Sequence, residues 1–536
     1  MNKQRRQSGP KKHTDSTVRP DAQKPRGAQN GSKPTKGTSK GRRCQSMSNG
    51  EDTGVMHNDP NWYFTDQGIA DSSVQFSFNS ILGTSMGSQN AISDVTSWEY
   101  SVHNVLEIPT VMALYYSPSP GWGYTIEDGI SMASLRLYTK LSSINAKSTN
   151  YAPQDLSILV LALGEVLSQF EVLRRCFGIA FTYNQRNRAV PRKLLWASLG
   201  HDYVDDFLNH LADYRMQFNS LITTFNQIPI PSGISYLRKC IEMYQRVYMD
   251  SPSPMSQLYI QLPQSTWLLN ETYSDQGSGL QTQLMSQSMS VRLSSLKAQI
   301  NALLTSSTFN FIYADILNYS SKLGMQLMTL DYLTEGYMVM PEYNENFLLQ
   351  VHNTTIVGQP TATENTAPGS NGITKGNDVV PNVDGNCVQY QPQFRNLAGT
   401  YYAKELLVDL PIATPDVVTR IESTRYLVPS IEDYSANEFH LCLPDHYCAR
   451  VVIYAGEERS ETVSSSMVDS KVDTKFTYGM MGWWSQFKNA PIVYLCNDLA
   501  ASSSLVDVFG DLNYYTWLPS SWFENVNRLI YQSLFE

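Results

Sequence analysis

The sequence predicts an α+β protein with a disordered basic N-terminal arm, a mostly α-helical domain, and a β-richer domain inserted before a C-terminal helix. Three observations lead there. The first fifty residues are cationic and hold no large aliphatic or aromatic side chain. Apolar residues then recur at helical spacing through the first two thirds of the body. After about residue 336 the pattern changes to short β-like runs separated by Gly, Asn, Thr and Pro.

The arm, residues 1–55, carries thirteen cations: Lys3, Arg5, Arg6, Lys11, Lys12, Arg19, Lys24, Arg26, Lys33, Lys36, Lys40, Arg42 and Arg43. Against them stand Asp15 and Asp21, a net of +11 over residues 1–50. The whole chain is −9, so residues 51–536 carry −20. A cationic tail on an anionic body points to a polyanionic partner. The arm has no Leu, Ile, Phe, Tyr or Trp, so it cannot bury enough surface to offset the entropy of ordering. Spread-out cations suit a phosphate backbone, because each neutralised phosphate releases a counterion, without sequence preference. With no aromatic residue to stack on bases, the arm is expected to contact backbone only. A secretory signal needs a central apolar run and a transit peptide an apolar face, and the arm has neither. "GRRC" and "QRRQSGPKK" match nuclear basic clusters loosely, but the spread of charge along the arm favours a polyanion.

Roughly 480 residues follow, more than one core usually takes, so two domains are expected: 56–335 and 336–509, with 510–536 returning to the first. Seven scattered cysteines and no signal peptide read as reduced thiols in a cytosolic setting. The most apolar run, "LSILVLALGEVLSQFEVL", is interrupted by Gly164, Glu165 and Glu171, so no transmembrane span is expected.

Pro153 and Asp155 mark a helix start, and helical spacing continues to about Cys176. Val204, Phe207, Leu208, Leu211, Tyr214, Phe218, Leu221, Ile222 and Phe225 step by three and four along one helical face. "IPIPSG" then breaks the chain, a helix runs from Ile234 to about Met249, and residues 289–321 form one long or two short helices. In the second domain "NFLLQVHNTTIVG", "YYAKELLVDL" and "HYCARVVIYAG" read as strands. Residues 359–387 read as a long exposed polar loop. "LPSSWFENVNRLIYQSLF" reads as a capped amphipathic helix, with Ser520 or Ser521 as N-cap.

Four constellations could carry chemistry, and each is better explained blandly. "YVDD" (Tyr203–Asp206) matches the paired Asp of polymerases, but it opens an amphipathic helix, where acidic residues suit the macrodipole. "GTSMG" (Gly83–Gly87) matches a nucleophile elbow without the helix that must follow. In "HLCLPDHYC" a turn at Leu443–Asp445 would set His440, Cys442, His446 and Cys448 on one face, a zinc-type set. That spacing fits no usual finger or ribbon, so the expected metal complement is none. "GWGYT" (Gly121–Thr125) lacks the third glycine of a dinucleotide fingerprint, no Walker A motif exists, and no cofactor or catalytic site is expected. Met480, Met481, Trp483 and Trp484 read as contact surface, with aromatic core as the alternative.

"IPTVMALYYSPSPGWG" (Ile108–Gly123) resembles the Ile/Val-Pro-x-x-Met segment and Pro/Gly turn near the start of the folded part of picobirnavirus capsid proteins. Length, basic tail, "IPIPSG", the Gly/Asn/Thr-rich insertion and the aromatic C-terminus extend the resemblance over nearly the whole chain. It implies a helix-rich shell domain and a protruding domain in a structural, non-enzymatic virion protein. It further implies homodimers, a small icosahedral shell, packaged double-stranded RNA, the viral polymerase as a further partner, and assembly in the host cytoplasm. Some relatives shed an N-terminal peptide by self-cleavage, but no residue pattern places such a cut here. A cytoplasmic nucleoprotein coating RNA as a filament is the alternative, and a body of −20 lacks the basic cleft it needs.

Overall fold

A computed structural model describes residues 71, 86–87, 105–106, 108–145, 149–186, 189–253, 255–274, 277–361, 364–365, 374–375, 378–394, 405–412, 414, 443–455, 459–469, 481–497, 504–510, 514–519, 529 and 531–535. The chain divides into two units, Met1–Phe76 and Ser77–Glu536. Of the first only Asp71 is described, so the architecture below belongs to the second.

Its centre is a strand with a continuous apolar and aromatic middle, Val111–Tyr116. β1 (Pro109–Pro118) is buried at all ten positions. With β2 (Tyr248–Met249), β3 (Leu258–Pro263), β4 (His446–Ala455) and β5 (Arg459–Val463) it builds a sheet of order β5-β4-β1-β3-β2. β1 is parallel to β3 and antiparallel to β4. Successive strand side chains point to opposite faces. Val111, Ala113 and Tyr115 therefore enter one hydrophobic core, and Met112, Leu114 and Tyr116 enter another.

A parallel β1–β3 pair needs a crossover, which here is helical. It contains α1 (Gly129–Asn145), α2 (Pro153–Arg186), α3 (Ala189–Leu199), α4 (Val204–Asn209), α5 (Leu211–Phe225) and α6 (Ser235–Gln245). The hairpin Ser265–Ser274/Gly277–Leu284 and two further helices, α7 (Met289–Thr305) and α8 (Ser307–Leu323), complete this layer. α2 is its axis. Its portion Pro153–Thr182 is long and apolar enough to cross a membrane, yet the apolar window lies wholly inside the protein, so it is a core helix. The opposite face of the sheet is covered by α9 (Glu345–His352), Ile356, Trp484, Phe487 and Val493. Helices and strands thus share one molecule as the α+β reading expected, and β4 and β5, although C-terminal to residue 336, hydrogen-bond into the sheet that β1 begins.

Several expectations differ from the structure for identifiable reasons. "NFLLQVHNTTIVG" is not a strand. Asn344 caps a helix by accepting from the Phe347 N–H at 3.1 Å, and Phe347, Leu348 and Val351 bury one face. The helix expected over 234–249 stops at Gln245, because Tyr248 and Met249 pair with β3 instead. The helix expected from Tyr203 onward is interrupted at His210, whose N–H is shared by the carbonyls of Asp206 and Phe207. Part of the expected exposed loop 359–387 is a buried hairpin: Val380–Asn382 pairs with Cys387–Gln389, and Val379 and Val388 are fully buried. Trp484 is core, not contact surface, with its indole N–H donating to the Pro491 carbonyl at 2.9 Å. Met480 lies outside the described residues.

After β1 the chain turns at Gly121, with φ at +78°. An added Cβ there would sit 2.7 Å from Cε2 of Tyr531. Tyr531 donates its hydroxyl to the Ser119 carbonyl at 2.7 Å, and Phe535 packs on Tyr236 with ring centroids 5.5 Å apart. Replacing Gly121 with Ala combines left-handed strain and a clash, so it should cost about 1–3 kcal/mol in chemical denaturation of the unassembled chain. Gly336→Ala, at an open position without positive φ, should stay within about 0.5 kcal/mol of the parent. Equal effects of the two would contradict this packing.

Candidate functional site

The thirteen cations proposed from sequence to contact nucleic acid all lie outside the described residues, as do His440 and Cys442 of the zinc-type set. His446 and Cys448 are on β4, both buried. His446 Nδ1 is 3.0 Å from Asp445 Oδ2, and Asp445 Oδ1 takes Lys239 Nζ at 2.5 Å. Burial alone would raise the Asp445 carboxyl. The Lys239 and His446 partners outweigh it and hold the group well below the usual carboxylate range. Burial pushes the Cys448 thiol far up, so it is a protonated core side chain. The cluster Lys239–Asp445–His446 therefore acts as a tie between α6 and the start of β4. Among the described residues no group of three or more His, Cys, Asp and Glu is arranged to hold a metal.

The "YVDD" acids stand where helical electrostatics favours them. Asp205 and Asp206 occupy the first turn of α4, with Asp205 paired to Arg192 at 2.8 Å and Asp206 accepting from the Tyr214 hydroxyl at 2.6 Å. Of "GTSMG", Met86 and Gly87 form a strand paired with Val105–Leu106, and Gly83–Ser85 lie outside the described residues.

Arg175 and Glu165, both shifted by burial, sit in the interior. Arg175 of α2 donates to the carbonyls of Arg246 and Gln261, at 3.1 and 2.5 Å, fastening α2 to the sheet. Burial lowers its guanidinium to about 10. Gln169 donates to Thr266 Oγ1 at 2.8 Å and to Gln299 Oε1 at 2.6 Å, and Gln299 donates to the Trp267 carbonyl at 3.1 Å. Glu165 caps this chain of bonds between α2, the hairpin and α7. Its burial pushes the carboxyl up to about 8, only partly offset by the Thr266 hydroxyl and the Trp267 backbone N–H. Such a network of buried, mutually bonded side chains is a device of packing.

Sequence reasoning assigned the aromatic richness to contact surface as well as core. The structure spends much of it inside, where Tyr116, Tyr236, Tyr244, Tyr259 and Tyr390 are among the largest fully buried side chains. What it missed is a set of exposed apolar residues on the helical layer, Phe311 and Leu317 among them. Residues 307–321 hold a single charge, Asp315, and that sparsity was the available signal; which side faces outward was not.

Glu165 yields a pH prediction. The unfolded chain releases this proton near pH 4.5, the folded chain near 8. The folded state therefore binds more protons between these values, and stability falls as pH rises through the window, by up to about 4 kcal/mol. Glu165→Gln should remove that slope. Its Tm relative to the parent should rise between pH 5 and pH 8.5, and a constant difference would contradict the burial of a neutral carboxyl.

Comparisons with known proteins converge. A family model described as picobirnavirus capsid protein matches residues 62–438. The capsid protein precursor of Human picobirnavirus (strain Human/Thailand/Hy005102/-) is 24% identical over 438 residues, covering 78% of each chain. The X-ray crystallographic structure of the picobirnavirus capsid has a similar fold, with a TM-score of 0.70 at 18% identity, over 89% of this chain and 98% of that one.

Proposed function

The chain belongs to the picobirnavirus capsid protein family and is a structural protein of the virion, and from that premise we propose that it assembles as dimers into a small icosahedral shell around double-stranded RNA. The match over residues 62–438 is the observation that carries this reading. Residues 56–335 form the shell domain and 336–509 contribute the protruding domain, with β4 and β5 returning from the latter range to the shell's sheet. The residues 510–536 return to the shell, in keeping with Tyr531 and Phe535 in its core.

The division of charge supplies the mechanism. A body of −20 repels RNA, so attraction falls to the thirteen arm cations: Lys3, Arg5, Arg6, Lys11, Lys12, Arg19, Lys24, Arg26, Lys33, Lys36, Lys40, Arg42 and Arg43. They bind phosphates without reading bases, tether the genome loosely and leave it movable for a packaged viral polymerase. Assembly takes place in the host cytoplasm.

Deleting residues 1–43 should leave particles that assemble with lowered RNA content, read by electron microscopy and by absorbance of purified particles. Full RNA content in truncated particles would refute the role of the arm. Rods in place of closed shells would favour a filament.

A further inference from the structure

Helix α8 buries an apolar inner face and carries no charge on its outer face from Ser307 to Ser321. Its inner face buries Phe309, Ile312, Tyr313, Ile316 and Tyr319 in the first core. Its outer face presents Ser307, Asn310, Phe311, Ala314, Leu317 and Ser321, all exposed and none charged. Phe311 is 51% exposed and Leu317 50%. The helix has two charged residues, the buried Asp315 and Lys322 in its last turn. Just beyond, Leu323 is 59% exposed. Helix α7, joined to α8 through Ser306 alone, shows Val291, Ser294 and Ala298 outward with a single cation, Lys297. A surface helix of a lone soluble protein normally carries charge on its outer face.

We propose that the outer face of α8 packs against a second copy of this chain in the assembled coat. The inference rests on the coat-protein reading and names the surface through which part of that assembly is made. Charge selects the occupant. Two bodies of −20 repel wherever their charged surfaces meet, and burying unpaired charges between them costs several kcal/mol. A stripe about 20 Å long without a charge, Ser307 to Ser321, is where two copies can approach and bury apolar area with neither penalty. RNA phosphates would find no cation along it. A membrane surface would find only Lys297 and Lys322 near it, too few for a basic flank. Phe311 and Leu317, half-exposed and central, are the anchors such an interface uses.

The test uses the full chain. Phe311→Glu with Leu317→Glu buries like charges in the contact and should raise the concentration at which shells form by roughly tenfold or more, about 1.4 kcal/mol per contact. Circular dichroism of the free subunit should stay at the parent's. Separately, Ala314→Cys should react with a thiol reagent in dissociated subunits, beyond the parent's own labelling, and be protected in shells. Normal assembly of the charged variant overturns the proposal. So does equal labelling of Cys at 314 in both states, which also decides the matter should the charged variant fail to fold. Normal shells with reduced RNA, or shells that have lost binding to anionic lipid vesicles, would give the face to RNA or to a membrane and overturn it as well. If the parent itself forms no particle, the coat reading fails. Parent shells with unaffected variants sink the α8 contact alone.

Discussion

The molecule depends on burying β1 on both faces at once. A strand with one wet face alternates polar and apolar residues, whereas Val111–Tyr116 has no polar position to turn outward. Two separate layers must therefore be brought to it. Helices α1 to α8 supply one and α9 with the Trp484–Val493 region the other. Chain segments more than three hundred residues apart are committed by this one requirement: Tyr115 and Tyr454 share a hydrogen bond at 2.9 Å, and Arg450 stands 4.3 Å over the Tyr115 ring. The turn that follows β1 extends the commitment. Gly123 exchanges backbone bonds with Tyr390, and Gly121 lies beneath Tyr531.

That arrangement suits a wall. Polar groups in the interior are used to fasten layers together: Arg175 ties α2 to β3, Asp445 ties α6 to β4, and the Glu165–Thr266–Gln169–Gln299 chain ties the axis helix to α7.

How much of this was legible depended on whether local pattern and tertiary role agreed. The segment Ile108–Gly123 was readable as a family resemblance, and Pro109–Pro118 within it is buried at every position. α2 and α5 were readable from helical spacing, although nothing local said that α2 would continue past Cys176 to Arg186. α9 was misread because "FLLQV" suits either element, and the Asn344 cap decides it. The 378–389 hairpin was misread because polar turn residues surround Val379, Val380 and Val388, whose burial comes from distant partners such as Leu280. Trp484 reads as a surface anchor only until the Pro491 carbonyl and the second core are placed around it. Which exposed residues meet another subunit is not written in any single helix: Phe311 is recognisable as an outlier only once Phe309 and Ile312 are known to fill the core.

Native-state hydrogen exchange of the unassembled full chain tests the dependence on β1 most directly. The amides of residues 111–116 should exchange only through global unfolding, at the same free energy as the middle of α2. Exchange of these amides through a local opening of lower free energy, while α2 stays protected, would contradict it.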